Sequence, residues 1–561
     1  MTAESPAAAL AALNQPPEFA PRDLWADDAA LREALAREGG GDWTGAVAAY
    51  GALAGDTLYA LGFDANRDRP RLRTHDRFGQ RIDRVEFHPH YHALMSHAIG
   101  HGVAGLSWRE PRAGAHVARA ALSYLHHQAE AGTSCPLTMT HAAAPVLARE
   151  PRLRDWAAGI AACVYDPADA PAAAKRGLTV GMGMTEKQGG SDVRANRTLA
   201  TPLQAEGEYA LQGHKWFFSA PMSDGFLVLA QAPAGLSCFL MPRWRPDGLR
   251  NGFRLMRLKD KLGDWANASS EVEFDDAWAL RVGEEGRGVQ TIIEMVMLTR
   301  LDCMLGSAAE MRMALAQAVH HARHRAAFGR ALAAQPLMRN VLADLALEAE
   351  AALALAMRVA RAVDAGARGD AAEAALARVA TAIGKYWVCR RAPAAVNEAQ
   401  ECLGGAGYVE ESILPRLYRQ APLNSIWEGS GNIQCLDVLR ALAREPACGS
   451  ALRDELRAAA GRDADYDAAL GAIEATLARQ ADEAPEAREL GARRLVERLA
   501  LALQAGVLLR AGSPAATAFC RSRLGGEHGL ALGTLPADAD FAALVERALP
   551  AQAPPRPSLA R

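Results

Sequence analysis

From Gly288 onward the apolar residues gather on one helical face: Val289, Ile292, Ile293 and Val296 stand at i, i+3, i+4 and i+7, the spacing of an amphipathic helix. Ala- and Leu-rich segments carry the pattern to about residue 400, interrupted at Asp364–Asp370. Long helices joined by short connections are predicted there, packed as a bundle. Upstream the period changes. Phe226, Val228 and Ala230 alternate, as do Ser237, Phe239 and Met241, and Val272 and Phe274 alternate with Glu271, Glu273 and Asp275. That is the period of strands. Turn signals at Gly207, Gly213, Pro233–Gly235 and Asp247–Gly248 separate them, which predicts a small antiparallel barrel or sandwich. Residues 21 to about 175 read as helical and Ala-rich, broken at Gly39–Gly41, Pro111 and Pro145. The stretch after 443 reads as helical with a loose Pro-rich end, Pro550 to Pro557.

The fold class predicted is therefore mostly α with an antiparallel β insert. Its parts are an N-terminal helical domain with an extension (1–177), a central β domain (178–283), a helical bundle (284–442) and a C-terminal helical extension (443–561). A chain of 561 residues is too long for one ordinary domain. No apolar run is long and free enough of charge and turn residues to span a membrane. The N-terminus has no basic segment of the kind that opens a secretory signal; its Ala and Pro content suggests an arm that braces a subunit interface. Nine scattered cysteines without a CxxC pair fit a reduced, cytoplasmic protein.

Net charge is −3, giving no global pull toward nucleic acid. The positive charge is almost all arginine. The lysines are Lys175, Lys187, Lys215, Lys259, Lys261 and Lys385, and such rarity marks positions that need a compact ammonium. His88, His90, His92, His97 and His101 raise the question of a metal. The hydrolytic zinc pattern requires a Glu beside the paired histidines, and none is present. Packing and hydrogen bonding are the roles expected of them, and no metal is expected.

Three stretches carry candidate chemistry. NSIWEGSGNIQ (424–434) sets one carboxylate, Glu428, between an indole, Trp427, and the small pair Gly429 and Ser430. An apolar run follows, so Ser430 reads as a helix N-cap. A carboxylate against apolar surface is hard to ionise and is a stronger base once ionised. GMGMTEKQGGSDVRANRT (181–198) lacks the final glycine and the helix of a dinucleotide fingerprint. It reads as a polar loop with hydroxyls and free amides, suited to a flat heteroaromatic ligand or a phosphate. GHKWFFSA (213–220) places Trp216 in a strand, able to lie against such a ligand.

Taken together these residues resemble the acyl-CoA dehydrogenase family of flavoproteins. The family's TE-x-x-x-GSD loop matches Thr185 to Asp192, and its G-x-K-x-[WF] strand matches Gly213 to Phe217. Its K-L-G turn falls at Lys261 to Gly263, its R-x-x-FG segment at Arg325 to Gly329, its GG-x-GY turn at Gly404 to Tyr408, and its [YW]EG-[ST] element at Trp427 to Ser430. They occur in the family's order. MTEKQGGSD, GHKWFFS, NSIWEGSGNI and the extensions at both ends are most similar to the branch linked to the adaptive response to DNA alkylation.

The resemblance implies FAD between the β domain and the helices, in a homotetramer whose subunits complete one another's cofactor sites. Met182, Thr185, Ser191, Trp216, Phe217 and Ser219 would lie against the flavin side. Arg325, Phe328, Gly404 and Gly405 would meet the FAD diphosphate and adenosine of a neighbouring subunit, and Asn424, Trp427, Ser430 and Asn432 would complete the cofactor site. Arg300 would contact substrate. The implied reaction is α,β-dehydrogenation of a short or branched acyl-CoA thioester, with Glu428 removing the α-proton. Thr299 stands where some relatives carry the base, leaving Glu428 as the candidate. Met297 replaces an Asp that helps orient substrate in relatives, Glu401 replaces a Gln before the GG turn, and Gln335 sits one residue short of its usual place. These departures leave flavin binding more secure than rapid turnover. The alternative function is that of a flavoprotein which binds double-stranded DNA through its C-terminal extension and protects it against alkylation. Arg493, Arg494, Arg498, Arg510, Arg521 and Arg523 would supply the stripe for it, against acids such as Asp463, Asp465, Asp467, Asp482, Glu483 and Glu486.

Overall fold

The computed structural model describes residues 13–550 apart from residue 481. The first part of the Ala/Pro arm and all but the first residue of the Pro-rich end lie outside the described residues. The chain is mostly helical around one β barrel, as the patterning predicts. Helices α1 (Ala115–Ala129), α2 (Ser134–Ala148), α3 (Gly288–His324), α4 (Pro336–Ala367), α5 (Ala371–Cys402), α6 (Gly431–Arg444) and α7 (Pro485–Ala511) form the framework of the site. Strands β1 (Arg71–His75) and β2 (Arg81–Glu86) form a hairpin, and β3 (Val180–Gly183), β4 (Leu199–Pro202), β5 (Glu208–Ser219), β6 (Gly225–Ala232), β7 (Gly235–Pro242), β8 (Phe253–Leu258) and β9 (Ser269–Val282) form the sheet.

Helix α3 begins amphipathic, but from Leu298 to Ala322 it is buried on every side. It is the axis against which α1, α2, α4 and α5 pack. Alanines such as Ala308, Ala309, Ala314 and Ala318 let those neighbours approach closely. The bundle is interrupted at Asp364–Asp370 as predicted, and also at Arg325–Gln335. There a short hairpin, Ala326–Ala327 with Arg330–Ala331, turns through Phe328 and Gly329, both at positive φ.

Helix α2 runs through Pro145, where the sequence suggested a break. Proline has no N–H for the carbonyl four residues back. That carbonyl, on the buried His141, accepts instead from the Trp108 indole N–H at 2.9 Å. The β1–β2 hairpin, read as helical from sequence, is held from outside itself. Val85 joins the barrel core, and Arg81 donates to the Leu255 carbonyl of β8 at 2.9 Å. Its turn is closed by Asp76, whose carboxylate accepts from the Phe78 and Gln80 amides.

In the sheet, β6, β7, β9, β5 and β4 pair in a ring that closes between Leu199 and Gln231, so the β unit is a barrel. Most pairings are antiparallel; β3 and β4 meet β6 in parallel. Phe218, Phe226, Phe253 and Phe274 fill the interior edge to face and tilted. Strand β6 has no polar face because Leu227 and Leu229, pointing outward, pack with Met139, Ala143, Ile292 and Met295 of α2 and α3. This seam sets the barrel against the helices.

The helices beyond residue 443 lie on the bundle, tied to it by ion pairs of Arg547 to Glu350 and of Arg523 to Asp344 and Glu348, and Arg547 also reaches Glu33 of the N-terminal helix Ala29–Arg37. Among the described residues no helix is long and apolar enough to cross a membrane. Replacing Trp108 by Phe leaves the buried His141 carbonyl without its donor and should destabilise the fold by about 1–3 kcal/mol. The check is a lowered denaturant midpoint at unchanged m-value.

Candidate active site

At the seam a cleft of about 720 Å³ opens between the barrel wall and helices α1, α2 and α3. The register of β5 against β9 shifts between Lys215 and Phe218. Phe217 and Ser219 both line the cleft, and Phe217 presents an aromatic surface 52% exposed. Trp216 is outside the cleft lining; the Lys259 ammonium stands 3.3 Å from its ring centroid. Met182 of β3 and Thr185 and Ser191 of the following loop complete this wall. A Cβ on Gly190 would come within 2.6 Å of the Thr185 hydroxyl, so glycine lets the loop fold back on itself there. The loop's carboxylate, Glu186, faces inward instead. It accepts from the Lys215 ammonium at 2.8 Å, the Thr198 hydroxyl at 2.7 Å and the Arg197 amide at 2.7 Å. Glu186 is therefore an anchor for the wall.

On the opposite side, the turn before α6 delivers Glu428 to the cleft. Glu428 has φ +58° and Gly429 φ +95°. A left-handed Glu carries a penalty of about 1–2 kcal/mol, so the turn must be held by its surroundings. The Lys385 ammonium on α5 donates to the Trp427 carbonyl at 2.7 Å and the Gly429 carbonyl at 2.5 Å. The Arg300 Nε donates to the Glu428 carbonyl at 2.9 Å, and the Gln434 amide donates to the Glu428 and Gly429 carbonyls. The Glu428 carboxylate accepts one side-chain hydrogen bond, from Thr299 at 2.8 Å. Burial raises its pKa above the ordinary carboxylate value; the Thr299 hydrogen bond and the charges of Arg300 and Lys385 pull the other way without cancelling that rise. The result is a carboxylate in the cleft, partly desolvated and lightly held, which is the electrostatic state of a general base.

Asn424 and Trp427 also line the cleft, and the Trp427 indole N–H donates to Asn424 Oδ1 at 2.9 Å. Ser430 occupies the N-cap position of α6 with no side-chain capping bond, and its side chain edges the cleft. Asn432 is outside it and accepts from Arg493 of α7 at 2.8 Å. Arg300 lines the cleft, but its guanidinium is also engaged with Asp437 at 2.8 Å. Arg325, Phe328, Gly404 and Gly405 lie elsewhere. Arg325 donates to the Asn14 carbonyl, Phe328 is 99% exposed, and Gly404 and Gly405 sit on an open turn. Of the tail arginines, Arg510 pairs with Glu455, Arg523 with Asp344 and Glu348, and Arg521 with Asp538 and Glu527. Arg494 and Arg498 are exposed and have no partner among the described residues. Among the described residues no group of three or more His, Cys, Asp or Glu is placed to hold a metal ion. Sequence reasoning did not foresee the roles of Lys385 or of Ser123, His127 and Thr138 on α1 and α2. The scarcity of lysine pointed to Lys385; nothing local marked the others.

A barrel wall with an exposed aromatic, a helical wall with a lightly held Glu and a cleft between them define an acyl-CoA dehydrogenase-type site. The chain belongs to that family of FAD-dependent oxidoreductases: residues 181–277 match its middle domain and 286–443 its C-terminal domain. Its branch is that of AidB, since residues 14–167 match the adaptive response protein AidB N-terminal domain. The chain is 46% identical to AidB of Escherichia coli (strain K12) over 92% of its own length and 95% of that protein's. It is 33% identical to acyl-CoA dehydrogenase family member 11 of Caenorhabditis elegans over 68% of this chain and 63% of that one. The crystal structure of Caenorhabditis elegans ACDH-11 in complex with C11-CoA superposes with TM-score 0.81 at 26% identity, covering 95% of this chain and 92% of that one.

Replacing Thr299 by Val removes the one side-chain donor to the Glu428 carboxylate. Its pKa should rise further, so the acidic limb of any Glu428-dependent rate should move to higher pH. A pH–rate profile in which that limb stays in place, or moves down, contradicts this assignment.

Proposed function

We propose that the cleft binds FAD and an acyl-CoA thioester and that Glu428 is the base of an α,β-dehydrogenation. The observation that carries this reading is the Glu428 carboxylate, one oxygen on Thr299, in the same cleft that Phe217 and Ser219 line from the barrel. The residues present fit the cofactor. The exposed Phe217 face suits a flat ring system, and Met182, Thr185, Ser191, Ser219 and Ser430 offer small and hydroxyl-bearing groups around it. The Lys259 ammonium lies near both the Trp216 and the Phe217 ring, 3.3 and 4.5 Å from their centroids, and would steady Phe217. Bound FAD supplies the two-electron acceptor.

Glu428 then takes the α-proton. The backbone N–H of Glu428 has no protein acceptor among the described residues, so it is available to the thioester oxygen as charge builds there. Lys385, Arg300 and Gln434 position the base by fixing its own carbonyl and the carbonyls on either side of it, and Arg300 would act on substrate through that turn. The complex of the C. elegans relative with C11-CoA supports a CoA thioester as the ligand class. Phe328, Gly404 and Gly405 are exposed, Arg325 is half-buried, and none of them lines the cleft, which fits a role in the diphosphate and adenosine site of a neighbouring subunit in a homo-oligomer, a tetramer in this reading. Nine buried free cysteines suit the reducing cytoplasm.

A second reading, DNA binding by the C-terminal extension, rests on the exposed Arg494 and Arg498. It expects retention of duplex DNA that falls steeply with salt and falls further in an Arg494→Ser, Arg498→Ser variant. Retention that responds to neither removes it. For the main reading, Glu428→Gln should keep its FAD and bind acyl-CoA, yet slow anaerobic bleaching of the flavin by about 10²–10⁴-fold. Bleaching at the wild-type rate would mean that another group receives the proton.

A further inference from the structure

We propose that the helical end of the cleft recognises a neutral oxygen function, a hydroxyl or carbonyl, on the distal part of the acyl group. The substrates are then oxygenated acyl thioesters in preference to plain alkyl ones. The proposal rests on the thioester reading above and adds to it the chemistry of the acyl group.

Where an alkyl chain end would call for aliphatic walls, this end of the cleft is lined by Ser123 and His127 on α1, Thr138 on α2, Asp302 on α3, and Asn424. Asn424 Oδ1 is taken by the Trp427 indole, which leaves the two hydrogens of Nδ2. The His127 ring and this amide converge on Gly306: a Cβ there would stand 2.7 Å from His127 Cε1, 3.0 Å from its Nδ1 and 3.1 Å from Asn424 Nδ2. His127 Nε2 faces Glu310 at 3.3 Å. Burial works against protonation of the His127 ring, but Glu310 outweighs it and holds the pKa above the ordinary imidazole value. Nδ1 has no protein partner among the described residues and can bond an oxygen function. The Ser123 hydroxyl has no partner among the described residues. Thr138 gives its proton to Asp302 and keeps lone pairs free.

The charges in this wall cancel in place. Asp302 is paired with Arg119, and Glu310 with His127. Lys261, which also lines the cleft, has its ammonium held by the Asp264 and Asn267 carbonyls and the Ser269 hydroxyl, so a neutral oxygen is the better match for the α1–α2–α3 wall. A methyl terminus would leave Ser123 Oγ, Asn424 Nδ2 and His127 Nδ1 dry and unpaired. A site built to bond an oxygen discriminates strongly against the analogue that lacks it.

The test uses the FAD-loaded Glu428→Gln protein, which should bind without turnover. Calorimetry compares hexanoyl-CoA with its analogue hydroxylated on the penultimate carbon. The hydroxylated ester should bind roughly tenfold tighter or more, as expected for one well-made hydrogen bond to a wall otherwise unpaired. Ser123→Ala should narrow that ratio while leaving hexanoyl-CoA binding no weaker. Equal affinities, tighter binding of hexanoyl-CoA, or no binding of either ester overturns the proposal, and the wild-type cleft answers even if a variant fails to fold. Anaerobic bleaching of the Glu428-containing protein separates the two claims. Bleaching without a hydroxyl preference removes the polar subsite and keeps the dehydrogenase. A hydroxyl preference without bleaching by either ester keeps the subsite and removes the dehydrogenase.

Discussion

Helix α3 is enclosed on all sides through its middle, and yet it carries four charged side chains there, each of which needs a partner. Arg300 meets Asp437 of α6 at 2.8 Å, Asp302 meets Arg119 of α1, Glu310 meets His127 of α1, and Arg312 meets Asp28 at 3.1 Å. Asp28 in turn caps the helix Ala29–Arg37 through the Leu31 amide and accepts from the Tyr124 hydroxyl. Removing one partner from a buried pair is destabilising by about 3–5 kcal/mol. The N-terminal helices, the bundle and α6 are thus set in register by requirements that all originate on one helix. The geometry of the cleft inherits that register, because Thr299 and Arg300 both reach the Glu428 turn from α3.

The scarce lysines repay attention because several do what arginine could not. Lys385 gathers two backbone carbonyls, and Lys261 gathers the Asp264 and Asn267 carbonyls and the Ser269 hydroxyl within a tight turn. Lys215 reaches both Glu186 and the Leu229 carbonyl. A point donor with three rotatable hydrogens fits such converging acceptors, whereas a planar fork would need them side by side. Arginine fills the converse role at flat, bidentate carboxylates: Arg358 with Glu373 and Glu455, and Arg391 with Glu348.

What was legible in the sequence followed from period and spacing. The strands at 225–242 and 269–282, the long helices, and the Glu428 turn answer to local pattern, and the structure places all of them. What was not legible depends on contacts distant in sequence. The β1–β2 hairpin exists because the barrel receives Val85, and helix α2 crosses Pro145 because Trp108 supplies the missing donor. The distinction between Trp216 and Phe217 turns on a register shift in β5 that no residue type announces. The polar lining at Ser123, His127 and Thr138 comes from two helices whose sequences read as ordinary Ala-rich core.

The C-terminal extension joins these two kinds of information. Its arginines suggested a stripe for DNA, but two of them turn inward, Arg510 toward Glu455 and Arg523 toward Asp344 and Glu348. Arg493 on α7 holds Asn432 in the first turn of α6, four residues after Glu428. Nearby, a Cβ on Gly431 would stand 3.3 Å from Tyr386, so α6 starts in close contact with α5 and under the edge of α7. The strained left-handed Glu428 can persist only if the helix that follows it cannot slide, and here that helix is gripped by Arg300 and Arg378 at Asp437 and by Arg493 at Asn432. The segment whose sequence says least about function therefore braces, from behind, the turn whose sequence says most.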